Sequence, residues 1–182
     1  MHINYIKTMT RVGEVIRRPD HEKKLAIVKA PDLSKEMFKD NRGRVYAIVI
    51  DGEIHKLGGS QAKGGIKSTF DAYCGGFNYG MSARTYAVWN YLTQYLKQGK
   101  KVEVYCVWAD LVTVDVPTMT GSVKQEIATD FHAIEKNFVD EYVRVEGRFP
   151  ELNMQESGRK WEDTGLLEGW PGMGKRFKEE VA

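Results

Sequence analysis

The chain is poor in cysteine, has no long apolar run and shows no spaced cluster of metal ligands. Two cysteines among 182 residues, Cys74 and Cys106, cannot build a disulfide framework and fit a reducing, cytoplasmic setting. No apolar stretch approaches the roughly 20 residues of a membrane helix, so no membrane partner is expected. Met1-His2-Ile3-Asn4-Tyr5 also lacks the apolar region of a signal peptide. The four histidines, His2, His21, His55 and His132, are too scattered for a zinc motif, and the cysteines form no CxxC pair. Spacing alone leaves a Cys–His nucleophilic pair open, although a buried structural cysteine is the commoner case. Gly58 to Ser68 falls short of a phosphate-binding P-loop: Gly59 and Gly64 fit, but Gly65 stands where the lysine belongs and Lys67-Ser68 arrives two places late. Gly172-Met173-Gly174-Lys175 is shorter still.

What is present is a core's worth of apolar residues and an uneven distribution of charge. Hydrophobic residues make up 42%, which excludes wholesale disorder, and the length suits one domain or a compact core with extensions. The formal net charge of +2 is a cancellation. Residues 1–101 hold 18 Lys/Arg and 9 Asp/Glu, a balance of +9, whereas residues 102–182 hold 9 and 16, a balance of −7. Lys56, Lys63, Lys67, Arg84, Lys97, Lys100 and Lys101 lie within 56–101 against a single acid, Asp71. Aromatics are interleaved there: Phe70, Tyr73, Phe77, Tyr79, Tyr86, Trp89, Tyr91 and Tyr95. That combination suits a phosphate backbone; a solvated helix face over core aromatics has the same composition.

Periodicity and turn chemistry give the organisation. Residues 1–40 read as a partly structured N-terminal extension with short apolar runs at Val15-Ile16 and Leu25–Val28. Val45–Ile50 is a strand, Asp51-Gly52 a type I′ turn and Glu53–Leu57 the return strand. The two-residue period places Ile54 and Lys56 on one face, with His55 and Leu57 opposite. A short helix over about Ser68 to Tyr73 ends at Gly75-Gly76. Ser82 caps a helix from Ala83 to Lys97 that Gly99 stops. Lys101–Trp108 alternates as a third strand. After a loop of about a dozen residues, the capping-box pattern of Ser122-Val123-Lys124-Gln125 opens a long helix. Its stripe is Ile127, Phe131, Ile134, Phe138 and Tyr142; it ends before Gly147, and Pro150 bars continuation. The expectation is an α/β domain of α+β type: a small three-stranded antiparallel sheet flanked by helices over residues 44–155. An extension precedes it over 1–43 and a tail or arm follows over 156–182.

Phosphodiester hydrolysis needs a base for water, a cation for the charged phosphorus centre, and a metal or acid for the leaving oxygen. Tyr46 and Lys56 lie on adjacent strands, and the turn register decides which face each takes. Glu135 and Glu141 flank the apolar stripe of the long helix on opposite sides, each about 60° from its centre. Singly, each has an ordinary structural reading: a strand aromatic, an edge lysine, a surface carboxylate.

Their order resembles a known family. Arg44-Val45-Tyr46-Ala47-Ile48-Val49-Ile50 with Lys56-Leu57-Gly58 looks like the paired motif of the GIY-YIG endonucleases. Ser82 to Val107, with its Lys97-Gln98-Gly99-Lys100-Lys101 junction, resembles the branch of phage endonuclease II and related restriction enzymes. Glu135–Val139 and Pro150-Glu151-Leu152-Asn153 resemble the family's glutamate helix and closing Pro-x-x-Asn. The chain departs from the family at Arg44-Val45, at Lys56, which stands where a second tyrosine is usual, and at Lys67, which matches the family arginine's position.

The resemblance implies a one-metal hydrolysis of double-stranded DNA in a bacterial or phage-infected cell. Glu135 (alternatively Glu141) would hold Mg²⁺ or Mn²⁺. Tyr46 assisted by Lys56 would orient or deprotonate the attacking water. Lys67 or Arg84 would neutralise charge, and Asn153 would support the site. Lys63, Lys67, Arg84, Lys97, Lys100 and Lys101 are the expected DNA-binding set. Two-strand cutting by a single-site domain needs two copies, hence a homodimer or higher homo-oligomer. The rival readings are a catalytically impaired DNA-binding module on the same fold and an interaction protein without nuclease activity.

Overall fold

The computed structural model describes residues 1–21, 23–75 and 81–170. Phe77, Tyr79, Gly76 and the 172–175 segment fall outside the described residues.

The central sheet has five antiparallel strands rather than three. β1 (Thr10–Arg17) and β2 (Leu25–Lys29) come from the residues read as an N-terminal extension. They join β3 (Arg44–Ile50), β4 (Glu53–Ser60) and β5 (Val102–Trp108) in the order β2-β1-β5-β3-β4. β1 pairs with β5, some ninety residues later, through Val15↔Val102 and Thr10↔Cys106. The asymmetry of burial explains why β1 escaped a local reading: Val12 and Val15 are fully buried, while the neighbouring Arg11 and Glu14 are only partly covered.

The β3–β4 turn forms as its sequence dictates, with Asp51 and Gly52 both at positive φ (47° and 88°). β3 is buried along its whole length and alternates between two layers. Tyr46, Ile48 and Ile50 join a core beneath α1 (Lys35–Lys39), α2 (Gly65–Cys74) and α3 (Ala83–Lys97). Val45, Ala47 and Val49 face a smaller core under α4 (Phe131–Glu146). Ser82 caps α3 by accepting from the Thr85 amide, and Gly99 ends it at φ 76°. The buried Arg44 ties the start of β3 to three carbonyls, of Asp40 (2.5 Å), Ala62 (2.7 Å) and Ser60 (3.2 Å).

Two further expectations are corrected. The loop and helix start placed over about 109–130 are instead a hairpin, β6 (Leu111–Thr118) and β7 (Gly121–Ala128). Val112-Thr113-Val114-Asp115-Val116 alternates as a strand does, and pairing with it draws Ser122–Gln125 and Ile127 into β7. The true cap of α4 is Asp130, which accepts from the His132 amide; the end at Gly147, φ 69°, is as expected.

The second correction concerns β4. A bulge shifts its register between Ile48↔Lys56 and Val49↔Ile54. Ile54 and Leu57 therefore face α4, whereas Lys56 shares the Ile48 and Tyr46 face, and His55 bonds Tyr91 Oη of α3 at 2.7 Å. The extra residue rotates Lys56 onto the side where Tyr46 stands.

The segment after α4 returns along the free edge of β4. Leu152 donates to the His55 carbonyl, and the buried Asn153 closes a two-bond bridge to Leu57, accepting from its amide and donating to its carbonyl at 2.9 Å each. An exposed strand edge is thus covered by side chain and backbone together. Asn153→Ala strands both Leu57 groups in a buried setting; a loss of about 2–4 kcal/mol is expected by urea denaturation. Residues 161–170 then cross α3, where Tyr86, Asn90 and Trp170 donate hydrogen bonds to the backbone carbonyls of Glu168, Leu166 and Met81 respectively.

Candidate active site

The two faces of the sheet meet α4 and the α2–α3 pair at the end of β4, and five elements and the segment after α4 contribute there. β3 supplies Tyr46, β4 supplies Lys56 and two glycines, and α2 supplies Tyr73 from its last turn. α3 supplies Arg84 from its first turn, α4 supplies His132 from its first turn and Glu135 just beyond it, and Glu156 follows the Asn153 bridge.

The glycines set the clearances. A Cβ on Gly58 would lie 2.7 Å from Tyr46 Oη, and one on Gly59 would lie 2.3 Å from Glu135 Oε2. Bare backbone at these positions lets the phenol and the carboxylate close onto one strand. Gly59 does not need a left-handed backbone, so Gly59→Ala should fold while displacing Glu135. The thermal midpoint is expected to change little.

Lys56 and Tyr46 are almost wholly shielded, at 3% and 1% exposure. Lys56 Nζ donates to the Leu152 carbonyl at 3.2 Å. Burial, then the Arg84 guanidinium, pulls the Lys56 amine down to about 8, against the opposing pull of Glu156 and Glu135. Burial pushes the Tyr46 phenol well above its usual range, and Tyr73 adds to the shift. Tyr46 therefore stays protonated at neutral pH, and Lys56 gives up its proton much nearer to neutrality than a free lysine does. Tyr73 Oη lies 2.9 Å from Tyr46 Oη, and the Arg84 guanidinium interacts with the same Tyr73 hydroxyl. Burial alone would lower the Arg84 guanidinium, but Tyr73, Tyr46 and Glu156 leave it raised.

Glu135 and Arg84 stand half-buried at the mouth. His132 Nδ1 is 3.9 Å from Glu135 Oε2, and these two line an open cavity of about 270 Å³ with Val139, Phe149 and Glu156. Arg84 Nη1 bonds Gln155 Oε1 at 3.3 Å. Glu141 lies elsewhere on α4, 69% exposed beside Arg144, among the residues lining a separate cavity with Tyr5, Ile6 and Phe138. No cluster of three or more His, Cys, Asp or Glu arranged to cage an ion exists among the described residues. A single carboxylate with room for water matches Mg²⁺, which keeps several waters and binds through one or two carboxylates.

The structure thus gathers Tyr46, Lys56, Arg84, Glu135 and Asn153, and leaves other expected residues outside. Lys67 points from α2 into solvent, 49% exposed, and pairs with Asp71 at 2.5 Å. An i, i+4 acid on its own helix holds it away from Tyr46. Lys97, Lys100 and Lys101 sit at the far end of α3, about 20 Å along the helix from Arg84. Lys100 pairs with Asp51 and Lys101 with Glu103, both at 2.8 Å, so much of this basic cluster is already neutralised. Lys63 is exposed in the turn before α2. Sequence reasoning missed Tyr73, His132 and Glu156, whose approach depends on how α2, α4 and the return segment pack.

No family model matches this sequence, and no curated protein does. Among solved structures, the chain is similar to a mutant of bacteriophage T4 EndoII, with a TM-score of 0.52 and 17% identity over 84% of this chain and 98% of that one. It is also similar to the restriction endonuclease HPY188I in complex with product DNA, with a TM-score of 0.47, 22% identity and 81% of each chain covered. The chain shares the fold of the phage EndoII structure.

Proposed function

We propose that this chain is a metal-dependent endonuclease that hydrolyses phosphodiester bonds of double-stranded DNA, on the GIY-YIG plan. The observation that carries the reading is Lys56. It is a buried lysine brought close to neutrality, on one face with Tyr46 and in the joint field of Arg84 and Glu135. A fold gains no stability from such a lysine, whereas a hydrolase gains a base.

In this reading Lys56 Nζ takes the proton of the attacking water. Tyr46, still protonated, presents its hydroxyl beside it, and Tyr73 fixes that hydroxyl's position. Arg84 exchanges Gln155 for a phosphate oxygen when DNA enters and balances charge on the phosphorus centre, a role a fork-shaped guanidinium fills better than Lys67. Asn153 holds β4 in register at Leu57. Glu135 is the residue that would hold Mg²⁺ or Mn²⁺, and the cation, when bound, would supply charge stabilisation for the departing 3′-oxygen.

Incubation of supercoiled plasmid with the protein tests this directly. Nicked or linear product is expected with Mg²⁺ or Mn²⁺ and none with EDTA. Tight DNA binding without cleavage under either metal would instead identify a binding module on this fold.

A further inference from the structure

α4 begins with a side-chain pair that a one-carboxylate metal site does not use. His132 and Glu135 are three residues apart and so project from one face of the helix. Nδ1 of the imidazole lies 3.9 Å from Oε2 of the carboxylate, too far for a hydrogen bond. The imidazole has a backing: its ring lies on that of Phe131, with centroids 4.0 Å apart and 33° between the planes. Phe131 in turn is seated on bare backbone, where a Cβ on Gly43 or on Gly59 would collide with it. The glycine that gives Glu135 its clearance therefore also seats the ring beneath His132.

Charge around the pair favours a cation. The cavity of about 270 Å³ beside it is also lined by Lys136, Asp140 and Glu156. Lys136 is bonded to Asp140 one turn along the helix, so Glu135 and Glu156 set the sign of the site. As a structural contact, an exposed pair such as His132 and Glu135 is worth little. As two ligands it has the right spacing. Adjacent positions on an octahedral ion with bonds of about 2.1 Å stand about 3 Å apart. A small rotation of the imidazole, 73% exposed, closes the difference.

We propose that His132 is a second protein ligand beside Glu135 and makes the site selective for first-row transition ions such as Mn²⁺ over Mg²⁺. This rests on the metal-dependent nuclease reading and departs from its one-carboxylate plan in the ligand set. A lone carboxylate with water suits both ions. Mg²⁺ takes oxygen ligands and dehydrates reluctantly, so a nitrogen ligand gains it nothing. Imidazole binds first-row transition ions, and Mn²⁺ among them also accepts carboxylate and water. Two protein ligands suffice, because the open cavity leaves the other positions to water and to a phosphate oxygen of the substrate.

Mn²⁺ titration of the full chain, followed by electron paramagnetic resonance with Mg²⁺ as competitor, tests the proposal. Pulsed spectra of the bound ion are expected to carry the nitrogen coupling of a directly bound imidazole and to lose it in His132→Ala. That variant should bind Mn²⁺ about tenfold or more weakly and Mg²⁺ less than about twofold more weakly, since even an outer-shell partner is worth 10–100-fold. Its far-UV circular dichroism should not change, because the cap of α4 uses the His132 amide and not its ring. Bound Mn²⁺ without nitrogen coupling, still abolished by Glu135→Gln, overturns the proposal and leaves the nuclease reading standing. Mn²⁺ binding that survives Glu135→Gln overturns both. Absence of binding at millimolar Mn²⁺ overturns the proposal, and the plasmid assay then judges the nuclease reading separately.

Discussion

Lys56→Met is expected to lose cleavage by roughly 10²–10⁴-fold and at the same time to make the protein more stable. The two effects have one cause. An amine held at about 8 in the fold, against 10.5 when free, is charged at pH 7 in a place that disfavours charge. At about 1.36 kcal/mol per pH unit, the penalty is on the order of 3 kcal/mol, and an apolar side chain of similar volume removes it. The sign of the pH dependence follows. Between pH 8 and 10.5 the unfolded chain binds a proton that the folded chain has released, so the wild type gains stability as pH rises through that window. The methionine variant lacks this contribution. Cleavage by the wild type should also rise with pH through about 8 and level off above it, once Lys56 is neutral. Urea denaturation at pH 7 and 10, beside a cleavage profile from pH 6 to 9, reads all three. A variant that is inactive but less stable would mean that Lys56 serves the fold, through the Leu152 carbonyl, and not the reaction.

Glu135→Gln is expected to lose metal-dependent cleavage by at least about 10³-fold while folding normally, because the amide keeps the shape against Gly59 and discards the charge. Mn²⁺ binding followed by calorimetry should weaken in parallel. Glu141→Gln, on the solvent side of the same helix, is expected to change neither. Equal loss from both variants would move the metal away from the Gly59 cleft. Full cleavage by Glu135→Gln would remove it from the site altogether.

Local chemistry wrote some of this architecture plainly. Asp51-Gly52 demanded positive φ twice and produced the β3–β4 turn; Ser82 and Gly99 bounded α3; Gly147 ended α4. Distant partners wrote the rest. β1 is defined by β5 across some ninety residues, and its buried Val12 and Val15 sit in a charged stretch with no local signal strong enough to announce a strand. The β6–β7 ribbon was hidden because Ser122-Val123-Lys124-Gln125 satisfies a helix cap as well as it satisfies a strand, and only pairing decides between them.

The site followed the same division. Motif order pointed to Tyr46, Lys56, Glu135 and Asn153, which the fold does bring to one place. The choice between Lys67 and Arg84 depended on Asp71, one turn along α2, and on the direction of α3. A single extra residue in β4 put Lys56 beside Tyr46, and no two-residue period can foresee a bulge.

The bridge from Asn153 to Leu57 also bears on the order in which the molecule assembles. Its partners are 96 residues apart, whereas the β3–β4 turn and the helices close over a few residues each. Contacts of such separation carry the larger loop-closure cost and tend to form after the local ones. A refolding chain should therefore regain its helical circular dichroism before the Leu152 carbonyl reaches Lys56. Until then the lysine stays hydrated and strongly basic, so the chemistry awaits the last part of the chain to arrive.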